Sequence, residues 1–547
     1  MSTQSGQELR TLRGSGWALW ILLAVVWFAT MPWRPLLDPD EGRYAEIPRE
    51  MLSSGDWITP RLDGLKYFEK PPLQYWATAA TYSVFGLSEW TARLWTVGLG
   101  FLCLPMVLAF ASRLRGRAAG LCALTALAVS PYFEIVGHLN LLDAGFTFWL
   151  TATAFAFVLA QCEPPRSAAQ RRWMLLAWGA AALAVLTKGI VVGVLTGASL
   201  ALYSLVERDY RPWRRLHLVR GGALFLLIAL PWFIAVSVRN PSFLKFFFVH
   251  EHIARFLTTV HQRVEPWWYF AVLLLIGTLP WLTRLPGSVA AGWRESEQND
   301  RFKPLKFLLI FCVVTLLFFS ASGSKLAPYI LPIMPPLAVI AAAGLPNPAS
   351  FIRRTALFTG VLLLLIAVGL VIYSLRRNGY FPHEALPWLL AGSAAALCSV
   401  LIQWFPRTAA TMTLALATAG LAVLGCQCLL GAYTQVPPQR SAYRLARAVR
   451  PLIHRQTELY SLGQYRETLS PYLQRTLQLV QFQGELAFGL SEEPAKDLTG
   501  DAFLTHWNQA TDAIAFLDPS MLSWWRQHGL KGRVIAGDQD TVAVSRL

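Results

Sequence analysis

Charged residues are scarce in this chain of 547 residues. Asp, Glu, Lys and Arg make up 15% of it, against about 25% in soluble proteins. Hydrophobic residues make up 54%, and apolar runs of roughly the 20 residues that cross a bilayer recur through most of the chain. This composition excludes a soluble globular protein and indicates a multi-pass membrane protein. The first run, GWALWILLAVVWFATMPW, has no small-residue cleavage site, so we expect a retained helix and not a signal peptide.

The sequence also lacks a long basic tract and a cysteine motif, and both absences narrow the range of possible functions. The formal net charge is +16, but the basic residues are scattered between apolar runs and form no long basic tract. We therefore expect positive loops that orient membrane helices, and no nucleic-acid partner. The seven cysteines lie in or beside apolar runs, with no CxxC spacing. Neither a disulfide framework nor a zinc-binding cysteine motif is indicated.

The apolar runs predict thirteen membrane-spanning helices. With a cytoplasmic N-terminus, this number places the basic connections, such as RLRGR and ERDYRPWRRLHLVR, on the cytoplasmic side, as the positive-inside rule requires. The segment 71–87 begins with Pro-Pro and is short, so we expect it to lie on or dip into the membrane surface. The predicted spans are 15–33, 91–112, 118–136, 141–162, 173–188, 190–206, 219–238, 267–285, 305–321, 326–344, 355–375, 385–403 and 408–431.

The polar end of the chain predicts a second domain. Strand-like runs such as LQLVQF and DAIAFLD alternate there with helical runs such as SMLSWWRQHG, a pattern typical of a small α/β domain. It contains no Gly-rich loop with the spacing of a nucleotide site. We therefore expect a transmembrane catalytic domain at 1–434, with outer loops at 34–90 and 239–266, and an outer α/β domain at 435–547.

The first outer loop carries the densest group of charges, in PDEGRYAEIPREMLSSGDWITPRLDGLKYFEKPP. Asp40 and Glu41 precede a helical pattern that begins at Arg43, where carboxylates also serve as helix caps. The cations beside them at headgroup depth favour a binding site. Lys70 is held by the prolines that follow it and suits a phosphate as a compact charge. The alternative for Lys70 is an interfacial lysine.

The second outer loop contains VHEHIARF. Its two histidines, at i and i+2, do not share a helix face. His250 together with a carboxylate from elsewhere, such as Glu69, would hold a divalent ion with water completing the shell. The alternative is polar loop histidines without a metal. Arg255 suits the two-point grip of a phosphate.

Three further residues are candidates on the same face of the membrane. Asp143 lies near the outer end of the fourth predicted span, where a lone acid is unusual. Lys325 and Tyr329 lie in the short turn SGSKLAPY. An acid-and-cation site at headgroup depth suits a substrate with a lipid tail and a phosphate head.

The first-loop string, together with LLDAGFTFWL, EHIARF and SKLAPYILP, resembles the lipid A 4-amino-4-deoxy-L-arabinose transferases. These belong to the GT-C glycosyltransferase superfamily, which also includes the protein O-mannosyltransferases. The resemblance covers essentially the whole chain. It implies a glycosyltransferase of the bacterial inner membrane whose active site faces the periplasm. Such an enzyme moves aminoarabinose from undecaprenyl phosphate to lipid A phosphates, which lowers surface negative charge and gives resistance to polymyxin and cationic peptides.

The resemblance also implies roles for individual residues. The catalytic residues would be Asp40 and Asp143. A divalent metal, zinc or similar, would be held by Glu69 and His250. We expect a monomer surrounded by membrane lipids. The substrate-binding residues would be Glu41, Arg43, Tyr67, Lys70, Arg255, Lys325 and Tyr329.

Two other functions remain open from the sequence. One is a polyprenyl-phosphate-sugar transferase that acts on protein or on another glycan. The other is a transporter of a lipid-linked sugar. Transporters usually show repeat symmetry and polar groups near the bilayer midplane, whereas this sequence has no visible repeat and concentrates its ionisable residues at one face. The enzyme is therefore favoured.

Overall fold

The computed structural model describes residues 17–255, 265–294, 302–406, 410–437, 440–482 and 484–546. The chain divides into two compact units. The membrane unit comprises Met1–Trp33 and Trp95–Val436, and the loop–tail unit comprises Arg34–Leu94 and Pro437–Leu547. These units differ from the predicted domains in one respect, because the first outer loop groups with the C-terminal segment and not with the membrane helices.

The membrane unit is helical throughout its described residues. Every predicted span overlaps a helix or a pair of helices. Eight of the described helices are long and apolar enough to cross a membrane, or nine if one pair bent by 67° counts as a single span. Thirteen spans therefore stays a prediction. The helices are Trp17–Trp33, Glu89–Arg115 (which begins in the other unit), the bent pair Arg117–Ala128 and Pro131–Gly137, Leu142–Cys162, Ala168–Lys188, Val191–Glu207, Leu218–Arg239, Tyr269–Trp293, Pro304–Ala321, Ala327–Ala342, Pro348–Asn378, His383–Trp404 and Thr411–Gln435.

A ten-residue π-helix, Lys245–Ala254, follows the helix Leu218–Arg239 in the membrane unit. Helices of this type are rare and are frequently found at functional sites. This one contains most of the motif VHEHIARF, and Arg255 follows directly after its last residue. The predicted second outer loop is therefore helical over residues 243–255.

The loop–tail unit begins with the first-loop helix, Asp40–Ser54. A hairpin of β1 (Arg61–Leu62) and β2 (Leu65–Lys66) and the helix Leu73–Phe85 follow it. The hairpin turn is Asp63-Gly64, with φ of 54° and 76°, as expected for the two-residue turn that Asp-Gly favours. The segment 71–87 is thus largely helical, as predicted.

The C-terminal part folds into the predicted α/β domain. Its six-stranded sheet has the order β5-β4-β3-β6-β8-β7. The strands β3 to β6 are parallel, and β8 and β7 add an antiparallel edge. The central strand β6 is buried at all five positions, as expected when both faces of a sheet are covered. The strands are β3 Glu458–Leu462, β4 Gln478–Val480, β5 Asp497–Leu498, β6 Ala513–Leu517, β7 Arg533–Gly537 and β8 Val542–Ser545.

Helices and apolar side chains cover both faces of this sheet. One face of the sheet packs around Phe503, Trp507 and Trp525, whose ring centroids are at most 6.1 Å apart. The helices of the C-terminal part are Tyr443–Val449, Leu469–Leu473, Ala487–Glu492, Gly500–Gln509 and Leu522–Gln527.

Gly42 lets the first-loop helix approach the C-terminal domain closely. A Cβ atom at this position would lie 2.5 Å from the backbone carbon of Glu467 and 2.5 Å from the backbone nitrogen of Thr468. Backbone atoms on both sides leave no flexible group to move away. Within the loop–tail unit, the motif Asp-Glu-Gly-Arg is therefore placed directly against residues 467–468.

Candidate functional site

Arg43 is the centre of a charged cluster in the loop–tail unit. Its side chain is 3% exposed. The guanidinium donates to Asp40 at 2.7 Å and to Glu485 through both Nε, at 3.0 Å, and Nη2. Glu467 Oε1 lies 3.8 Å from Nη2. Carboxylates of the protein itself hold Arg43 in the structure, and its predicted contact with substrate stays a prediction.

Two of these carboxylates come from the C-terminal domain, and sequence reasoning missed both. Glu485 is 442 positions away from Arg43, and no local pattern marks it or Glu467. Burial raises the pKa of Glu467 to about 8; the nearby Glu485 adds to the rise and Arg43 partly offsets it. We call Asp40, Arg43, Glu467 and Glu485 the Arg43 cluster.

Asp40 and its neighbour Glu41 have different surroundings. The Asp40 side chain is 35% exposed, so it is the accessible carboxylate of the motif. Glu41 is 2% exposed and accepts two hydrogen bonds from Arg93, at 2.7 and 2.8 Å. It also accepts the Leu37 backbone N–H at 3.0 Å. Glu41 is therefore held by groups of the protein, and its predicted contact with substrate stays a prediction.

Tyr67 lies beside the Arg43 cluster. Its ring centroid is 6.0 Å from the Arg43 guanidinium carbon, and its buried hydroxyl makes no hydrogen bond among the described residues. The hydroxyl of Tyr75 is also buried without such a bond in the described part of the chain. Burial raises the pKa of both phenols, and the carboxylates of Glu69 and Glu485 add to the rise.

Glu69 and Lys70 lie side by side after the hairpin. The Lys70 ammonium donates to the Glu69 carbonyl at 2.8 Å and lies 4.0 Å from a Glu69 carboxylate oxygen. Both side chains are largely buried. A lysine that is held in this way keeps its charge in a fixed place, as binding of a phosphate requires.

In the membrane unit, Arg255 joins the second outer loop to the turn at 320–329. It donates to Glu251 at 2.7 Å and to the Tyr329 hydroxyl at 3.1 Å. Glu251 also lies 3.3 Å from His250 Nδ1. The structure thus brings the predicted site residues His250 and Arg255 to Glu251, a buried carboxylate that was not among them, and Arg255 connects this group to Tyr329.

Asp143 is not a lone acid. It forms an ion pair with Lys188, the last residue of the helix Ala168–Lys188. The Lys188 ammonium also lies 4.4 Å from the centroid of the Tyr329 ring, within the range of a cation–π contact. Asp143, Lys188, Tyr329 and Arg255 therefore form a continuous chain of contacts. One signal for Lys188 was available, because an acid inside an apolar helix needs a cation nearby.

Lys325 lies in the same turn as Tyr329. Its ammonium donates to the Ser322 carbonyl at 2.8 Å, and the residue is buried. The structure therefore places the lysine in the predicted turn, held by a contact to the backbone of that turn.

The predicted metal pair, Glu69 and His250, lies in different units. His250 stacks on Phe246 at 5.0 Å and lies beside Glu251. Among the residues that the structure describes, no group of three or more His, Cys, Asp and Glu side chains is arranged to hold a metal ion. A metal therefore stays a prediction, and no step below depends on one.

Two known families match separate parts of this sequence. Residues 17–247 match the dolichyl-phosphate-mannose-protein mannosyltransferase family, and residues 445–546 match the aminoarabinose transferase C-terminal domain. The undecaprenyl phosphate-alpha-4-amino-4-deoxy-L-arabinose arabinosyl transferase of Pectobacterium atrosepticum is 30% identical over 95% of this chain and 92% of its own length. This chain belongs to the same family.

Other relatives of this name match over a shorter stretch. The protein from Aeromonas salmonicida is 36% identical over 60% of this chain, and the match spans 59% of its own length. The protein from Shewanella sediminis is 31% identical over 85% of both chains.

The fold also matches a solved structure of the family. The crystal structure of ArnT from Cupriavidus metallidurans bound to undecaprenyl phosphate has a TM-score of 0.88 and 32% identity, covering 97% of this chain and 98% of that chain. The apo structure of the same protein gives a TM-score of 0.85. The predicted fold class, a GT-C membrane protein with a small C-terminal α/β domain, is confirmed.

Proposed function

We propose that this chain transfers 4-amino-4-deoxy-L-arabinose from undecaprenyl phosphate to phosphate groups of lipid A. The observation that carries the proposal is the match over nearly the whole chain to a relative solved with undecaprenyl phosphate. The shared name of the curated relatives supports the sugar. Lipid A as acceptor, the inner membrane and a periplasmic active site belong to this proposal, as does a monomeric enzyme.

The reaction is a displacement at the anomeric carbon of the sugar. An oxygen of the acceptor phosphate forms a bond to that carbon, and the bond to the undecaprenyl phosphate oxygen breaks and leaves its electron pair on the departing phosphate. A single displacement inverts the configuration of the anomeric carbon. A phosphate acceptor is already ionised near neutral pH, so the step requires little proton removal.

Lys70 and Arg255 are each suited to the departing phosphate. Lys70 presents a compact charge that the Glu69 carbonyl holds in place, and the Arg255 guanidinium is held by Glu251 and Tyr329. A well-placed donor of this kind stabilises a developing anion by about 3–4 kcal/mol. Lys188, which pairs with Asp143, is a third candidate.

Asp40 is the accessible acid of the first-loop motif. A phosphate acceptor does not need a strong base, so we assign Asp40 to orienting the acceptor or to offsetting positive charge that develops on the sugar. With a hydroxyl acceptor, the same carboxylate would act as a general base.

The test is transfer by the purified protein. The protein in detergent is incubated with lipid A and undecaprenyl phosphate-linked aminoarabinose, and the mass of lipid A is followed. We expect one aminopentose to be added per modified phosphate by the wild type, and little by Asp40→Asn or Lys70→Ala. Unchanged lipid A in the presence of a competent donor would contradict the proposal.

A second acceptor class has one observation in its favour. The N-terminal match is to a family of protein mannosyltransferases, so a protein or another glycan is the alternative acceptor. Peptide and glycan acceptors in the same assay would test it. Metal analysis of the purified wild type, Glu69→Gln and His250→Ala would test whether these two residues hold an ion.

A further inference from the structure

The Arg43 cluster contains more carboxylates than its cation needs. Asp40 and Glu485 already engage all three nitrogen positions of the guanidinium: Glu485 binds Nε and Nη2, and Asp40 binds Nη1. Glu467 lies 3.8 Å from Nη2, beyond the distance of a hydrogen bond. Asp40 and Glu485 alone place two carboxylates on one guanidinium, and Glu467 adds a third acidic side chain in this largely buried place.

Two buried hydroxyl groups beside the cluster indicate a missing ligand. The hydroxyls of Tyr67 and Tyr75 make no hydrogen bond among the described residues, although both side chains are almost fully buried. The Tyr67 ring centroid lies 6.0 Å from the Arg43 guanidinium carbon, and Tyr75 stacks on Tyr44, whose ring centroid lies 5.9 Å from the same carbon. Both tyrosines therefore border the cluster. An unsatisfied buried hydroxyl costs about 1–3 kcal/mol, and a bound polar ligand would remove that cost.

The charge of the cluster indicates which ligand this is. An excess of carboxylates repels the phosphates of both the donor and the acceptor. A protonated amine supplies the missing positive charge, and its N–H groups donate to carboxylate and hydroxyl oxygens. In the proposed reaction, the transferred sugar carries such an amine at carbon 4.

We propose that Glu467 and Glu485 of the C-terminal domain, with Asp40, form a subsite that recognises the protonated amine of the transferred sugar. The inference rests on the proposed function and deepens it, because it assigns sugar specificity to the C-terminal domain. The exposure of Asp40 and Glu485, at 35% and 21%, leaves the cluster open on one side for a sugar to enter. Glu467 is the determinant of specificity, since Arg43 is held without it.

The test compares two donors that differ only at the amine. One is undecaprenyl phosphate-linked 4-amino-4-deoxy-L-arabinose. The other is its N-formyl derivative, in which the nitrogen at carbon 4 carries no charge. With Glu467→Gln, we expect kcat/KM for the amine donor to fall about 10- to 100-fold, as for loss of a hydrogen bond to a charged group. The change for the formyl donor should stay below about twofold, and Glu467→Asp should recover part of the loss.

Two variants serve as controls. Glu485→Gln should reduce transfer from both donors, because Glu485 also holds Arg43. Glu492→Gln changes a carboxylate of the same domain that pairs with Lys66, and it should alter neither donor's kcat/KM.

The outcomes separate the two proposals. Equal losses for both donors with Glu467→Gln, or no loss for either, would overturn the subsite while the transferase function stands. Absence of transfer by the wild type from either donor to lipid A would overturn both.

Discussion

Replacing Glu41 by Gln tests whether the two adjacent acids of the first loop have separate roles. The substitution keeps the size of the side chain and removes its charge. It removes the carboxylate that accepts hydrogen bonds from Nε and Nη2 of the fully buried Arg93. The carbonyls of Arg34 and Pro35 also accept from Arg93, at 2.6 and 2.8 Å, but they carry no negative charge.

The expected cost follows from this geometry. Removing one partner of a buried ion pair destabilises a protein by about 3–5 kcal/mol. If the loop–tail unit unfolds cooperatively, that cost corresponds to a melting temperature lower by about 6–20 °C. Asp40→Asn removes a half-exposed partner of Arg43 and should change stability by only about 1 kcal/mol or less. Its effect should instead be a loss of transfer.

The assay follows tryptophan fluorescence of the full chain in detergent during heating. Transfer is measured separately at a temperature at which both variants are folded. The double variant Glu41→Met, Arg93→Met should melt above Glu41→Gln, because apolar replacement of a whole buried pair is often nearly neutral. A Glu41→Gln protein that melts like the wild type and loses transfer as Asp40→Asn does would refute a structural role for Glu41.

Three further outcomes are expected. Gly42→Ala should lower the melting temperature, because its Cβ would lie 2.5 Å from backbone atoms, whereas Gly98→Ala, with no neighbour within 4 Å, should not. Burial raises the pKa of Asp63 to about 8, so the folded chain holds a proton there that the unfolded chain releases near pH 4. Wild-type stability should then fall as pH rises from about 4 to 8, and Asp63→Asn should flatten that fall in melting curves. In Arg255→Lys, a single ammonium replaces the guanidinium that donates to both Glu251 and Tyr329. This substitution should lower kcat/KM about 10- to 100-fold with little change in the melting temperature. An unchanged kcat/KM would contradict a role of Arg255 in binding.

The sequence predicted those features that depend on local pattern. Apolar length located a helix at each of the thirteen predicted spans, and alternation located the main strands of the C-terminal sheet. The difference in exposure between Asp40 and Glu41 could also have been predicted, because neighbouring residues of a helix point about 100° apart. One of two adjacent acids at the start of a packed helix is therefore expected to turn inward.

Long-range ion pairs could not be predicted in the same way. Glu485 and Arg43 are separated by 442 positions, and a single carboxylate in a polar domain has no sequence signature that names its partner. The same holds for Asp38 with Arg466 and for Arg61 with Glu493. Such pairs depend on the register at which two folded segments meet, and only the tertiary structure fixes that register.

These ion pairs affect how a loss of transfer after deletion of the C-terminal domain should be interpreted. Asp38 accepts from Arg466 at 3.0 Å and from the Thr468 backbone at 2.8 Å. Deleting the domain would remove these partners of Asp38, the Glu485 partner of Arg43 and the backbone that packs against Gly42. Loss of transfer after such a deletion would therefore follow from the unfolding of the first loop alone. A direct role of the domain in recognising the sugar can be separated from this scaffold role only by variants that leave the packing intact. Glu467→Gln is such a variant, because it replaces one acidic group by an amide of the same size while Asp40 and Glu485 continue to hold the Arg43 guanidinium.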